Sequence, residues 1–268
     1  LISTHKDPSI AKAVIFIDES IGVTATQANG GTGKSIAAGV ALQHIRPTRV
    51  LDGKRFTSRD SFSFSNIELG DTIAIIDDLA LGFNFEALYT PISGDLRIEM
   101  KRVNSSYMKF EQSPKFLITT NVPINGTGES DKRRRHVVEF APYFHTNYTV
   151  RDHFGHNLFD DWDDREWAHF DTFMIQCCQL FLNDGLVQVN VNYEEKMRRM
   201  SIGEEVLDFL EAHIKTDKLY SYQEILNGRF ATVGFDGILV QYPELKLSRT
   251  DIKASVHEWA ASKNLMVT

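Results

Sequence analysis

Long apolar runs are missing from this chain: none reaches the about 18 residues that a membrane-spanning helix requires. Cysteine is scarce. The only two, Cys177 and Cys178, are adjacent, and such neighbours rarely pair, so a disulfide framework is excluded and a reducing compartment is expected. A cationic surplus is absent too. Lys and Arg number 29 against 36 Asp and Glu, a net charge of −7, which excludes a protein coated in basic charge. That balance leaves room for a nucleic-acid motor whose basic groups line a channel, where local charge outweighs the total. The first residues contain Asp7, Asp18 and Glu19 and no continuous apolar core, so no secretory signal is expected. The chain starts at Leu1 rather than Met, so a fragment of a longer protein is expected.

What is present reads as globular. At 268 residues the chain has room for one large domain or two smaller ones. Ala13-Val14-Ile15-Phe16-Ile17 reads as a buried strand, and 22–27 as a second strand running into a Gly-rich turn. Ile36, Val40, Ala41 and Ile45 have helical spacing from Lys34 until Pro47 stops the helix. Further strands are expected at 72–76, 115–120 and 136–140, with a hairpin over 97–110. This alternation predicts an α/β layer with a largely parallel sheet.

Ala28-Asn29-Gly30-Gly31-Thr32-Gly33-Lys34-Ser35 follows a strand and opens a helix, the setting of a phosphate-binding loop. Glycines let backbone N–H groups close around phosphate oxygens, and a helix N-terminus adds its positive end. Lys34 would reach the β- and γ-phosphates, and the Ser35 hydroxyl would bind Mg²⁺. The alternative is a Gly-rich turn with a chance Lys-Ser. Downstream, the apolar run 72–76 ends in Asp77, suited to the metal, and Asp78, suited to polarising water. The strand 115–120 ends at Asn121, which can hold the attacking water or the γ-phosphate. Arg133, Arg134 and Arg135 are either a solvated basic face or a source of an arginine finger for a neighbouring subunit. Lys101, Arg102 and Lys109, with Tyr107 interleaved, suit single-strand backbone contact plus stacking.

Taken in order, Gly30 to Ser35, Ile75 to Asp78, Ile92 to Lys101, Ser113 to Asn121 and Arg133 to Arg135 resemble motifs A, B, B′, C and the arginine finger of superfamily 3 helicases. Among those, the chain looks most like the helicase portion of phage, plasmid and mobile-element primase-helicases. The likeness covers roughly 12–190 and includes Phe159 to Trp162 and Trp167 to Leu186. It implies an AAA+-type ATPase that uses ATP and Mg²⁺ and assembles as a homo-oligomer, a hexameric ring, around single-stranded DNA. It further implies 3′→5′ translocation in replication of a phage or mobile element, a cytoplasmic place in a bacterial host, and a primase-polymerase domain on the full-length chain. Arg134 is the preferred finger, with Arg133 and Arg135 as alternatives. Two departures stand out: Ala28 replaces the first loop glycine, and Asp78 stands where many relatives have Glu.

The expected domains are an ATPase core over 1–150, a helical extension over 151–200 and a winged-helix-like module over 201–268. The module is read from three capping boxes: Ser201 with Glu204, Ser221 with Glu224, and Ser248 with Asp251. In the extension, Trp167, Phe170, Phe173, Met174, Cys177, Cys178 and Phe181 form one apolar helix face, which assigns both cysteines to packing. Competing functions are an AAA+ remodelling or packaging ATPase that does not unwind DNA, a small-molecule P-loop kinase, and a catalytically silent DNA-binding protein. The kinase leaves the hairpin and Asn121 unexplained, and the silent binder leaves Lys34, Ser35, Asp77 and Asp78 unexplained. A zinc site from His145, His153 and His156 is disfavoured because no Cys lies nearby.

Overall fold

A computed structural model describes residues 6–19, 31–57, 62–99, 105–126, 128–187, 191 and 196. The chain divides into two compact units, Leu1–Asn192 and Tyr193–Thr268. The winged-helix-like module and the strand expected at 22–27 lie outside the described residues.

In chain order the strands are β1 (Ala13–Asp18), β2 (Thr48–Asp52), β3 (Ile73–Asp77), β4 (Leu96–Ile98), β5 (Ser106–Met108), β6 (Lys115–Thr120) and β7 (Arg135–Phe140). The helices are α1 (Lys34–Ala38), α2 (Val40–Ile45), α3 (Tyr89–Ser93), α4 (Glu129–Arg134), α5 (Val150–Phe154) and α6 (Asp164–Asp184). One sheet has the order β2-β3-β6-β1-β7, and every neighbouring pair in it is parallel. The α/β reading therefore holds.

The central strands are apolar at consecutive positions rather than alternate ones, which requires cover on both faces. Val14, Ile73, Ile75 and Leu117 pack with Ala38 of α1 and Leu42 of α2. On the other face Ile15, Ala74, Ile76, Phe116 and Ile118 pack with Phe85, Leu88 and Ile92 and with the inner side of the β4–β5 hairpin. Ile76, fully buried, contributes about 1.5–3 kcal/mol relative to an exposed position.

Three details depart from the sequence reading. The helix expected from Lys34 to Ile45 is broken at Gly39, whose non-helical backbone (φ −83°, ψ −95°) separates α1 from α2. An unanticipated edge strand, β2, pairs with β3; only Leu51 of its five residues is buried, so no apolar run announces it. On α6, Phe173 and Cys177 are exposed and Cys178 is half-buried. The covered side of α6 runs through Trp167, Phe170, Met174, Cys178 and Phe181, at spacings of three and four. Asp163 caps this helix, and Trp167 stacks on His44 of α2 at 4.1 Å between ring centroids. No helix among the described residues is long and apolar enough to cross a membrane.

The N-terminal edge of the sheet holds one buried cation and one half-buried one. Lys115 opens β6 at 7% exposure, and Lys6 donates to Ser113 Oγ at 2.6 Å while lying 4.4 Å from the Phe110 ring centroid. Burial lowers both ammonium groups from 10.5 to about 8, and the charge of Lys115 adds to the effect on Lys6. From there to the ordinary lysine value, the unfolded chain binds more protons than the folded one, so stability rises with pH. The strain is fully present below the folded value and is relieved above it. Urea midpoints should therefore climb between pH 8 and 10 relative to those of Lys115→Met. Parallel curves for the two proteins would refute this account.

Candidate nucleotide site

Because the sheet is parallel, all its C-terminal strand ends share one edge. The chain leaves β1 toward β2 on one side and leaves β6 toward β7 on the other. The crevice between β1 and β6 is thus a switch point, where open α/β sheets hold ligands. A cleft of about 330 Å³ lies there, lined by residues 31–36, Asp77, Asp78, Thr119, Thr120 and Asn121. Gly31, Thr32, Gly33, Lys34, Ser35, Asp77, Asp78 and Asn121, assigned from sequence, are therefore brought together. Asn29 and Gly30 lie outside the described residues.

Gly33 has φ +99°, a left-handed conformation that side chains resist, and it turns the loop directly into Lys34. Lys34 is 7% exposed. Its Nζ donates to Asp18 Oδ1 at 2.5 Å and lies 3.3 Å from Thr32 Oγ1. Thr32 Oγ1 donates to the same Asp18 oxygen at 2.6 Å. Sequence reasoning missed Asp18. The available signal was an acid closing an apolar strand, the same signal that drew attention to Asp77.

Thr119 organises the acidic side. Its hydroxyl donates to Asp77 Oδ1 at 2.6 Å and accepts from the Asp78 N–H at 2.8 Å. Asp78 has φ +56°, uncommon for a residue with a side chain and concentrated at functional sites. Its Oδ2 lies 2.6 Å from Lys54 Nζ, and that hydrogen bond raises the Lys54 pKa. Gly53 allows the close packing behind this pair. A Cβ there would lie 2.4 Å from the Asp77 carbonyl oxygen and 2.7 Å from the Leu79 nitrogen. Lys54 and Gly53 carry no motif signature, and Thr119, inside the segment read as motif C, was given no role from sequence.

A second cavity of about 440 Å³ shares Gly31 and Ile36 with the cleft and is otherwise lined by Val40, His145, Thr146, Thr149, Val150, Arg151 and residues 157–160. Its apolar walls and single shared rim suit a flat ring attached to a group in the cleft.

The three arginines lie at the opposite edge of the sheet. Arg135 pairs in register with Ala13, the first residue of β1, and is buried. A six-residue strand, about 20 Å long, separates that edge from the cleft. Arg134 lies with its guanidinium carbon 4.5 Å from the Tyr89 ring centroid, and it donates to Ser93 Oγ and the Ser130 carbonyl, each at 3.3 Å. Arg133 is exposed, and its side chain makes no hydrogen bond or ion pair among the described residues.

The expected hairpin is present as β4 and β5, paired Leu96 to Met108, Arg97 to Tyr107 and Ile98 to Ser106. Leu96, Ile98 and Met108 face the core; Arg97 and Tyr107 face outward. Lys109 sits at the base, where its Nζ donates to Asp95 Oδ2 at 3.0 Å and holds that carboxyl below its ordinary value. Lys101 and Arg102 lie outside the described residues.

No protein-family model matches the sequence, and no curated protein matches it. Similar solved structures include an apo form of the NrS-1 C-terminal region, at 17% identity over 92% of this chain and 55% of that one, with a TM-score of 0.39. A second apo form of that region, spanning 305–718, is 16% identical and gives 0.37. JCV helicase with a bound acetamide compound is 13% identical over 92% of this chain and 56% of that one, at 0.35. The chain spans between half and two thirds of the length of these structures.

Proposed function

We propose that this chain is the ATP-hydrolysing motor of a superfamily 3-type, AAA+-like helicase that moves on single-stranded DNA as a homo-oligomeric ring. The observation that carries the reading is the convergence of Lys34, Ser35, Asp77, Asp78 and Asn121 on one cleft at the switch point. In this reading Lys34 meets the β- and γ-phosphates of ATP. The Ser35 hydroxyl and the Asp77 carboxylate are hard oxygen donors, the chemistry that Mg²⁺ takes, and they would hold it. Bound magnesium supplies charge neutralisation on the phosphates. Asp78 orients the attacking water, Asn121 contacts that water or the γ-phosphate, and the neighbouring cavity takes the base.

The opposite-edge position of Arg133, Arg134 and Arg135 supports a role in another subunit's cleft, since their own cleft is a strand length away. Arg133 has the freest side chain; Arg134 would first leave Tyr89 and Ser93. Lys101, Arg102 and Lys109 contact DNA, and Arg97 and Tyr107 on the outward face of the hairpin add to that surface. Replication of a phage or mobile element, and a primase-polymerase domain on the full-length chain, complete the proposal.

Phosphate release from MgATP, measured with and without single-stranded DNA, tests it alongside a forked-duplex unwinding assay. The expected result is hydrolysis that DNA accelerates and that drives strand separation. DNA-accelerated hydrolysis without separation assigns the chain to the remodelling ATPases instead. No hydrolysis by an assembled protein overturns the reading.

A further inference from the structure

Lys34 does not reach into the cleft alone. One oxygen of Asp18 accepts from both Lys34 Nζ, at 2.5 Å, and Thr32 Oγ1, at 2.6 Å. The side chains of the ion pair are 8% and 4% exposed, so solvent and salt screen this attraction poorly. Asp18 closes β1, so the strand fixes where its carboxylate sits, and parallel pairing with β7 holds that strand end. Lys34 and Thr32 both belong to the loop lining the cleft.

We propose that Asp18 is an internal competitor for polyphosphate, a carboxylate that sets how tightly the cleft holds a nucleotide by contending for Lys34. The proposal rests on the reading of the cleft as a nucleotide site. An ammonium has three protons to donate, and two acceptors already converge on this one. A phosphate chain arriving at Lys34 must either draw it from Asp18 or share it with Asp18 at close range. The first outcome gives up a charge-assisted hydrogen bond; the second sets two anions against each other with little water between them. Both outcomes weaken binding relative to a neutral residue at position 18. Thr32 does not relieve the conflict, because its hydroxyl proton is directed to the same carboxylate oxygen.

This role differs in sign from simple support. If Asp18 only positioned Lys34 for phosphate, neutralising it would loosen the lysine and weaken binding. If Asp18 competes, neutralising it strengthens binding. Such a competitor suits a motor that must release product each cycle, because it keeps the affinity for the spent nucleotide low.

The test measures dissociation constants of MgADP and of tripolyphosphate for the full chain by calorimetry. Asp18→Asn removes the charge and nearly keeps the shape, and Asp18→Ala is a second neutral variant should the first fold poorly. Asp18→Glu retains the charge. Both neutral variants should bind about tenfold more tightly or better, the scale of one charge-assisted hydrogen bond, while Asp18→Glu should not gain. Folded neutral variants that bind no more tightly than wild type, or bind more weakly, overturn the competitor role and leave the nucleotide site standing. Failure of the wild type and every variant to bind either probe removes the nucleotide reading and this inference together.

Discussion

Lys34→Ala is expected to reduce ATP hydrolysis at least about a hundredfold, since on the proposed reading it removes the charge that meets the reacting phosphates. The variant should also lose stability, and the cause is Asp18. Without its ammonium partner that carboxylate stays buried, and Thr32 still donates to it. Breaking a buried ion pair from one side costs roughly 3–5 kcal/mol. Asp18→Asn placed on top of Lys34→Ala should recover much of the lost stability and none of the turnover. Denaturant unfolding and phosphate release on the same preparations separate the two effects. Near-normal hydrolysis by Lys34→Ala would remove the cleft from consideration as the catalytic site. An unchanged unfolding midpoint would mean that the ion pair carries no net stabilisation.

The second large effect concerns the arginines. Arg133→Ala, or Arg134→Ala if that residue leaves Tyr89 on assembly, should bind ATP as wild type does and hydrolyse it about a thousandfold more slowly. Mixing the inactive arginine variant with Lys34→Ala should restore part of the activity, because some contacts then join an intact Lys34 to an intact arginine. Comparing the two single variants decides between them. No recovery in subunits shown to mix would rule out action across the interface.

Much of the sheet was legible because its central strands are short, apolar and bounded by polar turns. The strand expected at 115–120 has the bounds of β6, and those at 72–76 and 136–140 differ from β3 and β7 by one residue. β2 was not legible: an edge strand with one buried residue has no hydrophobic period to read. The break at Gly39 escaped because apolar spacing continues across it, while the backbone does not. In the site, motif order located Lys34, Ser35, Asp77, Asp78 and Asn121. It did not locate Asp18, although that acid closes an apolar strand as Asp77 does, nor Lys54 and Thr119, which strand pairing brings beside Asp78 and Asp77. The exposure of Cys177 turned on helical phase: one residue, a 100° step, separates it from the covered side of α6.

The parallel sheet puts the cleft at one edge and Arg135, with Arg133 and Arg134 just before it, at the other, and under the proposed role of the arginines this fixes how copies of the chain meet. In the proposed ring, a face bearing arginines meets a face bearing a cleft, so the contact is head to tail rather than twofold. An open arc of subunits then always has one cleft with no donor, at its leading end, and one set of arginines with no acceptor. On the proposed trans role, only closure completes every site. Activity per subunit should consequently rise with protein concentration until rings form and then level off, because each added copy completes one more cleft and the last contact completes the final one.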